Sequence, residues 1–178
     1  MSEALRFQPD ELLRRLVDRG VQFVVIGGFA AQAHGSPSLT ADLDIVPSWD
    51  RENLTKIAAI LHDIAAIRHG VALDAPPMPP LDARTLMLGA VFTLNSRFGR
   101  FDLLANPDPG LDHDTLRRTA VNVELLGIPV LAASLDDLIA MKRAAGRPKD
   151  RVEVEILGAL REEIDRSPED RPAPREPR

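Results

Sequence analysis

The sequence predicts an α/β protein in which helices flank a small mixed β-sheet and a pair of helices closes the C-terminal end. Short apolar runs at 22–26 and 42–46 have the length and β-branched content of buried strands. Helical patterns precede and follow them. Two further helical patterns, 135–145 and 149–164, are separated by the helix-breaking segment Gly146-Arg147-Pro148.

Composition limits the class of protein. The chain has 178 residues, 44% of them hydrophobic and 28% charged, with a net charge of -5 and no cysteine. We expect one domain over residues 1–165 and a disordered tail over the charged, proline-rich segment 166–178. Disulfides and thiolate metal sites are excluded, so oxygen or imidazole must hold any metal.

The same composition bears on location and partners. No apolar run is long enough to cross a membrane, and the N-terminus lacks the features of a secretion signal, which predicts a cytoplasmic protein with no membrane partner. The acidic balance argues against a broad nucleic-acid footprint. A local basic patch is still able to bind RNA.

The N-terminal half divides into five predicted elements. Leu12, Leu13 and Leu16 form one helical stripe that Gly20 terminates, and Gly35 closes a short alanine-rich helix. Asp50 is an N-cap for a long amphipathic helix. The predicted elements are a helix over 9–18, a strand over 22–26, a helix from about Gly28 to His34, a strand over 42–46 and a helix to about Arg68.

The C-terminal half begins with a proline-rich stretch, 70–82, which is unable to hold regular structure and is either a loop covering a site or a surface excursion. Ser134 and Asp137 resemble a capping box. Alternation and turn residues predict the other elements. These are strands over 87–95 and 100–104, antiparallel to each other, a short helix near 114–118, strand pieces at 121–126 and 129–131, and the two final helices.

The strand at 42–46 carries two aspartates one residue apart. Side chains alternate along a strand, so Asp42 and Asp44 project from one face while Leu43 and Ile45 project from the other. Two carboxylates about 7 Å apart repel each other unless a cation lies between them. The pair therefore predicts a Mg²⁺ or Mn²⁺ site, whereas the alternative is an exposed acidic face.

A glycine pair follows the strand at 22–26. Gly27 and Gly28 open a helix whose free N–H groups and positive dipole end suit a phosphate, although glycine is also common at strand-to-helix turns for geometric reasons alone. A phosphate site beside a metal site suggests a nucleoside triphosphate.

Gly27-Gly28, a spacer, and Asp42-x-Asp44 in a strand resemble the nucleotidyltransferase superfamily related to DNA polymerase beta. The likeness is greatest to the small prokaryotic nucleotidyltransferase toxins of abortive-infection and toxin–antitoxin systems, and it covers roughly residues 20 to 158. The resemblance implies a third acidic residue on a neighbouring strand, for which Asp102 is the candidate. With Asp42 and Asp44 it would form the catalytic and metal-binding set, as a third ligand or as the base.

The resemblance also implies residues for the nucleotide. Many members have serine where this chain has Gly28, so the phosphate contact would pass to backbone N–H groups or to a hydroxyl such as Ser36, Ser38 or Thr40. A basic helix is expected near the end. There Lys142 would reach the triphosphate. Arg147 and Lys149 would either contact phosphates or be solvated at the surface. Arg147 and Asp150 together match the Arg/Lys-x-x-Asp pattern of the toxins.

The activity implied is metal-dependent transfer of a nucleoside monophosphate from a nucleoside triphosphate, such as ATP, to an acceptor hydroxyl. For the toxin group the acceptor would be tRNA, another protein or the enzyme itself, and an antitoxin protein would be a partner. The aminoglycoside nucleotidyltransferases, which have related cores, imply a small hydroxylated molecule instead. A non-catalytic nucleotide-binding or regulatory protein is the third hypothesis.

Overall fold

The structure is a computed structural model that describes residues 7–71 and 78–166. Within these residues, seven strands form one mixed sheet in the order β3-β4-β5-β2-β1-β7-β6. The strands are β1 (Phe23–Ile26), β2 (Asp42–Pro47), β3 (Ile67–Arg68), β4 (Val91–Ser96), β5 (Gly99–Leu104), β6 (Val121–Leu125) and β7 (Ile128–Ala132). The helices are α1 (Pro9–Asp18), α2 (Gly27–Ala33), α3 (Arg51–Asp63), α4 (Ala83–Leu88), α5 (His113–Thr119), α6 (Leu135–Ala145) and α7 (Pro148–Asp165).

The pairing of the strands confirms the predicted mixed sheet. β2 runs parallel to β5 and antiparallel to β1, and β1 runs parallel to β7. The hairpins β4–β5 and β6–β7 are antiparallel, the first as predicted. All four residues of β1 are buried, as expected for a central strand covered on both faces.

The core explains which way the aspartates of β2 face. Leu43 and Ile45 are fully buried, and they lie beside Phe101 and Leu103 of β5 in the parallel register. Because side chains alternate along a strand, burial of this apolar set turns Asp42, Asp44 and Asp102 to the opposite face. Packing of the core thereby determines the side of the sheet on which the acidic groups collect.

Two predicted elements of the middle segment were wrong in extent. The helix expected to reach Arg68 ends at Asp63, and residues 67–68 form an edge strand whose Ile67 pairs with Asn95. The strand expected over 87–95 begins only at Val91, because Asp82 accepts a hydrogen bond from the Thr85 N–H and caps a helix that runs to Leu88. In the first case Ala65 has a left-handed backbone and the Ala66 N–H donates to the Leu61 carbonyl, which ends the helix. In the second case the local cap at Asp82 overrides the alternating pattern.

The other predicted elements are confirmed, including the helical pair α6–α7. Ser134 caps α6 through its Oγ, and Gly146 ends that helix with a left-handed backbone. Most of the predicted disordered tail, residues 167–178, and part of the proline-rich loop, residues 72–77, lie outside the described residues. Among the described helices, none combines the length and apolar character needed to cross a membrane.

Candidate active site

Three carboxylates meet on adjacent strands. Asp42 and Asp44 project from β2, and Asp102 projects from β5 as the cross-strand partner of Asp44. One carboxylate oxygen from each residue lies within 4.8 Å of the others. The parallel register therefore brings together residues that are about 60 positions apart in the chain, the same three that the family resemblance pointed to.

Two of these carboxyl groups hold their protons more tightly than a free aspartate. Burial, followed by the negative charges of Asp42 and Asp102, raises the pKa of Asp44 to about 7. Burial and the charge of Asp42 also raise the pKa of Asp102. Such shifts arise when carboxyl groups are buried beside like charges, and a bound cation would oppose them.

Asp42 differs because it has partners. Burial alone would raise its pKa, but hydrogen bonds from Arg100 and Thr40 outweigh burial and lower the pKa. Thr40 Oγ1 donates to Asp42 Oδ1 at 2.9 Å, and Arg100 forms an ion pair with Asp42 Oδ2. Asp42 is thus held ionised and oriented toward Asp44.

The donor set fits a divalent cation. Asp102 Oδ1 is buried and has no hydrogen-bond partner among the described residues. A buried carboxylate oxygen without a partner is costly, and coordination to a cation would satisfy it. Three converging carboxylates with no nitrogen or sulfur ligand are typical of sites for hard ions such as Mg²⁺ or Mn²⁺.

The glycine pair lies directly against this cluster. Gly27 has φ +64°, and a Cβ there would come within 2.1 Å of Asp44 Oδ2. A Cβ on Gly28 would come within 2.5 Å of the Cβ of Thr40. Both positions therefore need glycine for close approach, and this requirement is independent of any phosphate contact.

Across from the carboxylates, α6 and α7 carry a second charged group centred on Asp150, which is fully buried. Asp150 accepts from Arg147 Nε at 2.7 Å and from Lys142 Nζ at 3.4 Å. Burial alone would raise its pKa, but the hydrogen bond from Arg147 and the charge of Lys142 outweigh it and lower the pKa. Asp150 therefore fixes the positions of two cations, whichever ligand they meet.

A cavity of about 570 Å³ separates the two groups. Of the ten predicted site residues, eight line it: Gly27, Gly28, Thr40, Asp42, Asp44, Asp102, Lys142 and Arg147. Asp150 lies behind Lys142 and Arg147. Ser38 is not among the lining residues, and its backbone carbonyl accepts from the Gln32 side chain at 2.8 Å.

Sequence reasoning missed three cavity-lining polar residues. Arg100 precedes Asp102 by two positions, so alternation along β5 was a signal for its place on the same face. Glu153 follows Asp150 by three positions on α7 and forms an ion pair with Lys142. Thr93 is the cross-strand partner of Asp102 on β4, a relation that only the register reveals.

Comparison with known proteins supports this view of the fold. No protein-family model and no curated protein sequence matches the chain. Solved structures do match, and those described below are nucleotidyltransferases or a candidate member of that class. The chain therefore has the nucleotidyltransferase fold that its motifs predicted.

The particular structures cover nearly the whole chain. The lincosamide antibiotic adenylyltransferase LnuA, bound to lincomycin, is 15% identical, with 90% of this chain and 98% of that chain covered and a TM-score of 0.55. The antibiotic-resistance factor ANT(2'')-Ia is 14% identical, with 88% of each chain covered and a TM-score of 0.54. A candidate nucleotidyltransferase of Thermotoga maritima is 19% identical, with 93% and 99% covered and a TM-score of 0.51.

Proposed function

We propose that this protein is a metal-dependent nucleotidyltransferase, which moves a nucleoside monophosphate from a nucleoside triphosphate to an acceptor hydroxyl. The observation that carries the proposal is the cluster of Asp42, Asp44 and Asp102, with oxygens within 4.8 Å of one another at the wall of the cavity. A fold alone does not assign an activity. Three converging carboxylates opposite a set of cations are the arrangement that phosphoryl transfer needs.

The three carboxylates are the proposed metal ligands. They would hold a Mg²⁺ or Mn²⁺ ion, whose positive charge would offset the negative charge of the phosphates. Arg100 and Thr40 keep Asp42 ionised, and the close approach of Gly27 allows Asp44 to sit in the cluster. These contacts are in place before any ligand arrives, so little reorganisation is required when the ion binds.

In the proposed step, the acceptor oxygen attacks the α-phosphorus in line, and the bond from that phosphorus to the bridging oxygen breaks. The nucleotide is now joined to the acceptor, and pyrophosphate leaves with the electron pair of the broken bond. Asp102 is the proposed base for the proton of the acceptor hydroxyl, because Asp42 is already bonded to Arg100 and Thr40 and Asp44 packs against Gly27. Cations on the α6–α7 wall offset the charge of the departing pyrophosphate.

The proposal leaves two classes of acceptor to be separated by experiment. LnuA is an antibiotic adenylyltransferase, and ANT(2'')-Ia has been solved in complex with adenylyl-2''-tobramycin, which favours a small hydroxylated molecule. A cavity of about 570 Å³ is of the size that small-molecule sites have. The hypothesis of a toxin with a tRNA or protein acceptor and an antitoxin partner, in the cytoplasm, rests on motif resemblance.

The test incubates the purified protein with Mg²⁺ and each α-labelled nucleoside triphosphate in turn. Parallel reactions contain no acceptor, total tRNA, or a panel of hydroxylated small molecules that includes lincomycin and tobramycin. The matched control is the Asp42→Asn/Asp44→Asn variant, which preserves side-chain size. We expect a labelled acceptor with the wild type alone and with one nucleotide preferred.

The products distinguish the hypotheses. Label on a small molecule supports the antibiotic-type acceptor, and label on tRNA or protein supports the toxin-type acceptor. Label that persists in the Asp-to-Asn variant would overturn the assignment of the site. If no acceptor is labelled and calorimetry detects no Mg²⁺-dependent nucleotide binding, the nucleotidyltransferase proposal fails.

A further inference from the structure

The cations that line the cavity differ in whether a carboxylate already neutralises them. Arg100 is paired with Asp42, and Arg147 is paired with Asp150 at 2.7 Å. Lys142 is paired twice, with Asp150 and with Glu153, and its side chain is only 15% exposed. Each of these three cations therefore has a counter-charge within the protein.

Lys149 is different. It lines the same cavity from the first turn of α7, it is exposed, and the described residues offer it no ion pair and no side-chain hydrogen bond. An ammonium group with no internal partner is available to a ligand at no cost in broken ion pairs.

The charges of the residues that line the cavity support the same conclusion about Lys149. When all of them are ionised, as with a cation bound, Asp42, Asp44, Asp102 and Glu153 carry four negative charges, and Arg100, Lys142, Arg147 and Lys149 carry four positive charges. Asp150 behind the wall adds one more negative charge. After the internal pairs are formed, Lys149 is the lining cation that remains to meet the charge of a triphosphate.

On the basis of the proposed function, we infer that Lys149 is the residue that binds the β- and γ-phosphates of the nucleoside triphosphate. Lys142 then has a positioning role, holding α6 to α7 through Asp150 and Glu153. Lysine suits this task because its ammonium is a compact charge on a flexible stem with three donors. The family resemblance implies that Lys142 contacts the phosphates, whereas the ion pairs favour Lys149 for that role.

The first test measures nucleotide affinity by calorimetry with Mg²⁺ and each nucleoside triphosphate separately. Lys149→Gln should weaken binding about tenfold or more, since it removes a charge-assisted contact to phosphate. Its thermal stability should stay that of the wild type, because no internal ion pair is lost. The matched control is Lys56→Gln on α3, whose lysine pairs with Glu52 and does not line the cavity.

The Lys142→Gln variant distinguishes the positioning role of Lys142 from the phosphate-binding role of Lys149. It leaves Asp150 and Glu153 with one cation fewer, so it should lower the melting temperature, which Lys149→Gln should not do. Nucleoside monophosphate provides a further comparison, because it lacks the β- and γ-phosphates. Its affinity should be the same in the wild type and in Lys149→Gln.

Amine labelling provides an independent readout, because the chain contains three lysines. Acetylation followed by mass spectrometry should show slower modification of Lys149 when Mg²⁺ and the preferred nucleoside triphosphate are present. Lys56 should react at an unchanged rate and serve as the internal standard. Protection of Lys149 with unchanged Lys56 supports the assignment.

The failure of this inference differs from the failure of the proposed function. If the wild type binds the nucleotide but Lys149→Gln binds it equally well, or Lys149 is labelled at the same rate with and without nucleotide, the inference is overturned. Lys149→Arg keeps the positive charge but changes its shape. If this variant binds the nucleotide less tightly than the wild type but more tightly than Lys149→Gln, the inference is supported. If the wild type binds no nucleoside triphosphate, the proposed function itself fails and the inference fails with it.

Discussion

Asp44 of β2 and Asp102 of β5 are cross-strand partners in a parallel pair, and their carboxylates converge with that of Asp42. In a parallel pair, residues at the same register position project from the same face. The acidic cluster is thus a direct product of one strand register. A shift of β5 by one residue would turn Asp102 into the core and Leu103 out to the cavity.

The first prediction concerns pH and Asp44. The pKa of Asp44 is about 7 in the folded protein, whereas the ordinary value of 3.8 applies to the unfolded chain. The folded state therefore binds more protons than the unfolded state between these two pH values. Free energy of unfolding of the metal-free protein should therefore fall as pH rises from about 4 to about 7. Asp44→Asn should remove the contribution of Asp44 to this fall and stabilise the protein at pH 8 by about 2 kcal/mol, allowing for partial solvent screening.

Urea unfolding at pH 5 and at pH 8, with a chelator present, measures this effect. The wild type and Asp44→Asn should differ more at pH 8 than at pH 5. Equal stability of the two proteins at pH 8 would contradict the burial of a like-charged carboxylate at this position.

The second prediction concerns metal binding. Mg²⁺ or Mn²⁺ should raise the melting temperature of the wild type at pH 8, because a ligand that binds only the folded state stabilises it by about 2.7 kcal/mol at one hundred times its Kd. Asp42→Asn/Asp44→Asn should lose this response. Asp18→Asn, which changes an exposed aspartate at the end of α1, is the matched control and should respond like the wild type. Equal shifts in all three proteins would indicate non-specific ion binding.

The third prediction concerns Gly27. Alanine there would strain a backbone with φ +64° and would place its Cβ 2.1 Å from Asp44 Oδ2, so the carboxylate must move. Gly27→Ala should lower the free energy of unfolding by about 2 kcal/mol and weaken metal binding. Gly158→Ala, in the middle of α7 with no atom near its added Cβ, should instead stabilise the protein by about 0.5–1 kcal/mol. Chemical denaturation of the two variants measures the two changes in unfolding free energy. Equal changes in Gly27→Ala and Gly158→Ala would contradict the prediction.

The fourth prediction concerns Asp150. This buried carboxylate pairs with both Lys142 and Arg147, so Asp150→Asn would leave two cations with weaker partners. Unfolding free energy should fall by about 2–4 kcal/mol. Asp165→Asn at the exposed end of α7 is the control and should change stability by less than about 0.5 kcal/mol. A similar small change in Asp150→Asn would show that the buried pairs do not hold α6 to α7.

Local rules explain the parts of the fold and site that the sequence predicted. Alternation along β2 placed Asp42 and Asp44 on one face without any knowledge of neighbours. Capping and glycine termination likewise marked α6, which Ser134 opens and Gly146 ends. Each of these features depends on residues within a few positions of each other.

Other features that the sequence did not predict depend on distant partners. The edge strand at residues 67–68 depends on the pairing of Ile67 with Asn95 on β4, which no local pattern contains. The ion pair of Arg100 with Asp42 likewise depends on the parallel register of β2 and β5. Long-range pairing of strands outweighs the weak preference of a short segment for helix.

The sequence by itself determined the acidic pair on one strand face, the glycine turn beside it and the two C-terminal helices, because backbone geometry dictates them locally. Only the tertiary structure decided which of the charged side chains at the cavity form ion pairs within the protein. It pairs Arg100 with Asp42 and encloses Lys142 between Asp150 and Glu153, while Lys149 lines the cavity and has no ion pair with any residue in the described ranges. Charge neutralisation acts over a few ångströms in space, and distance along the chain does not reveal it.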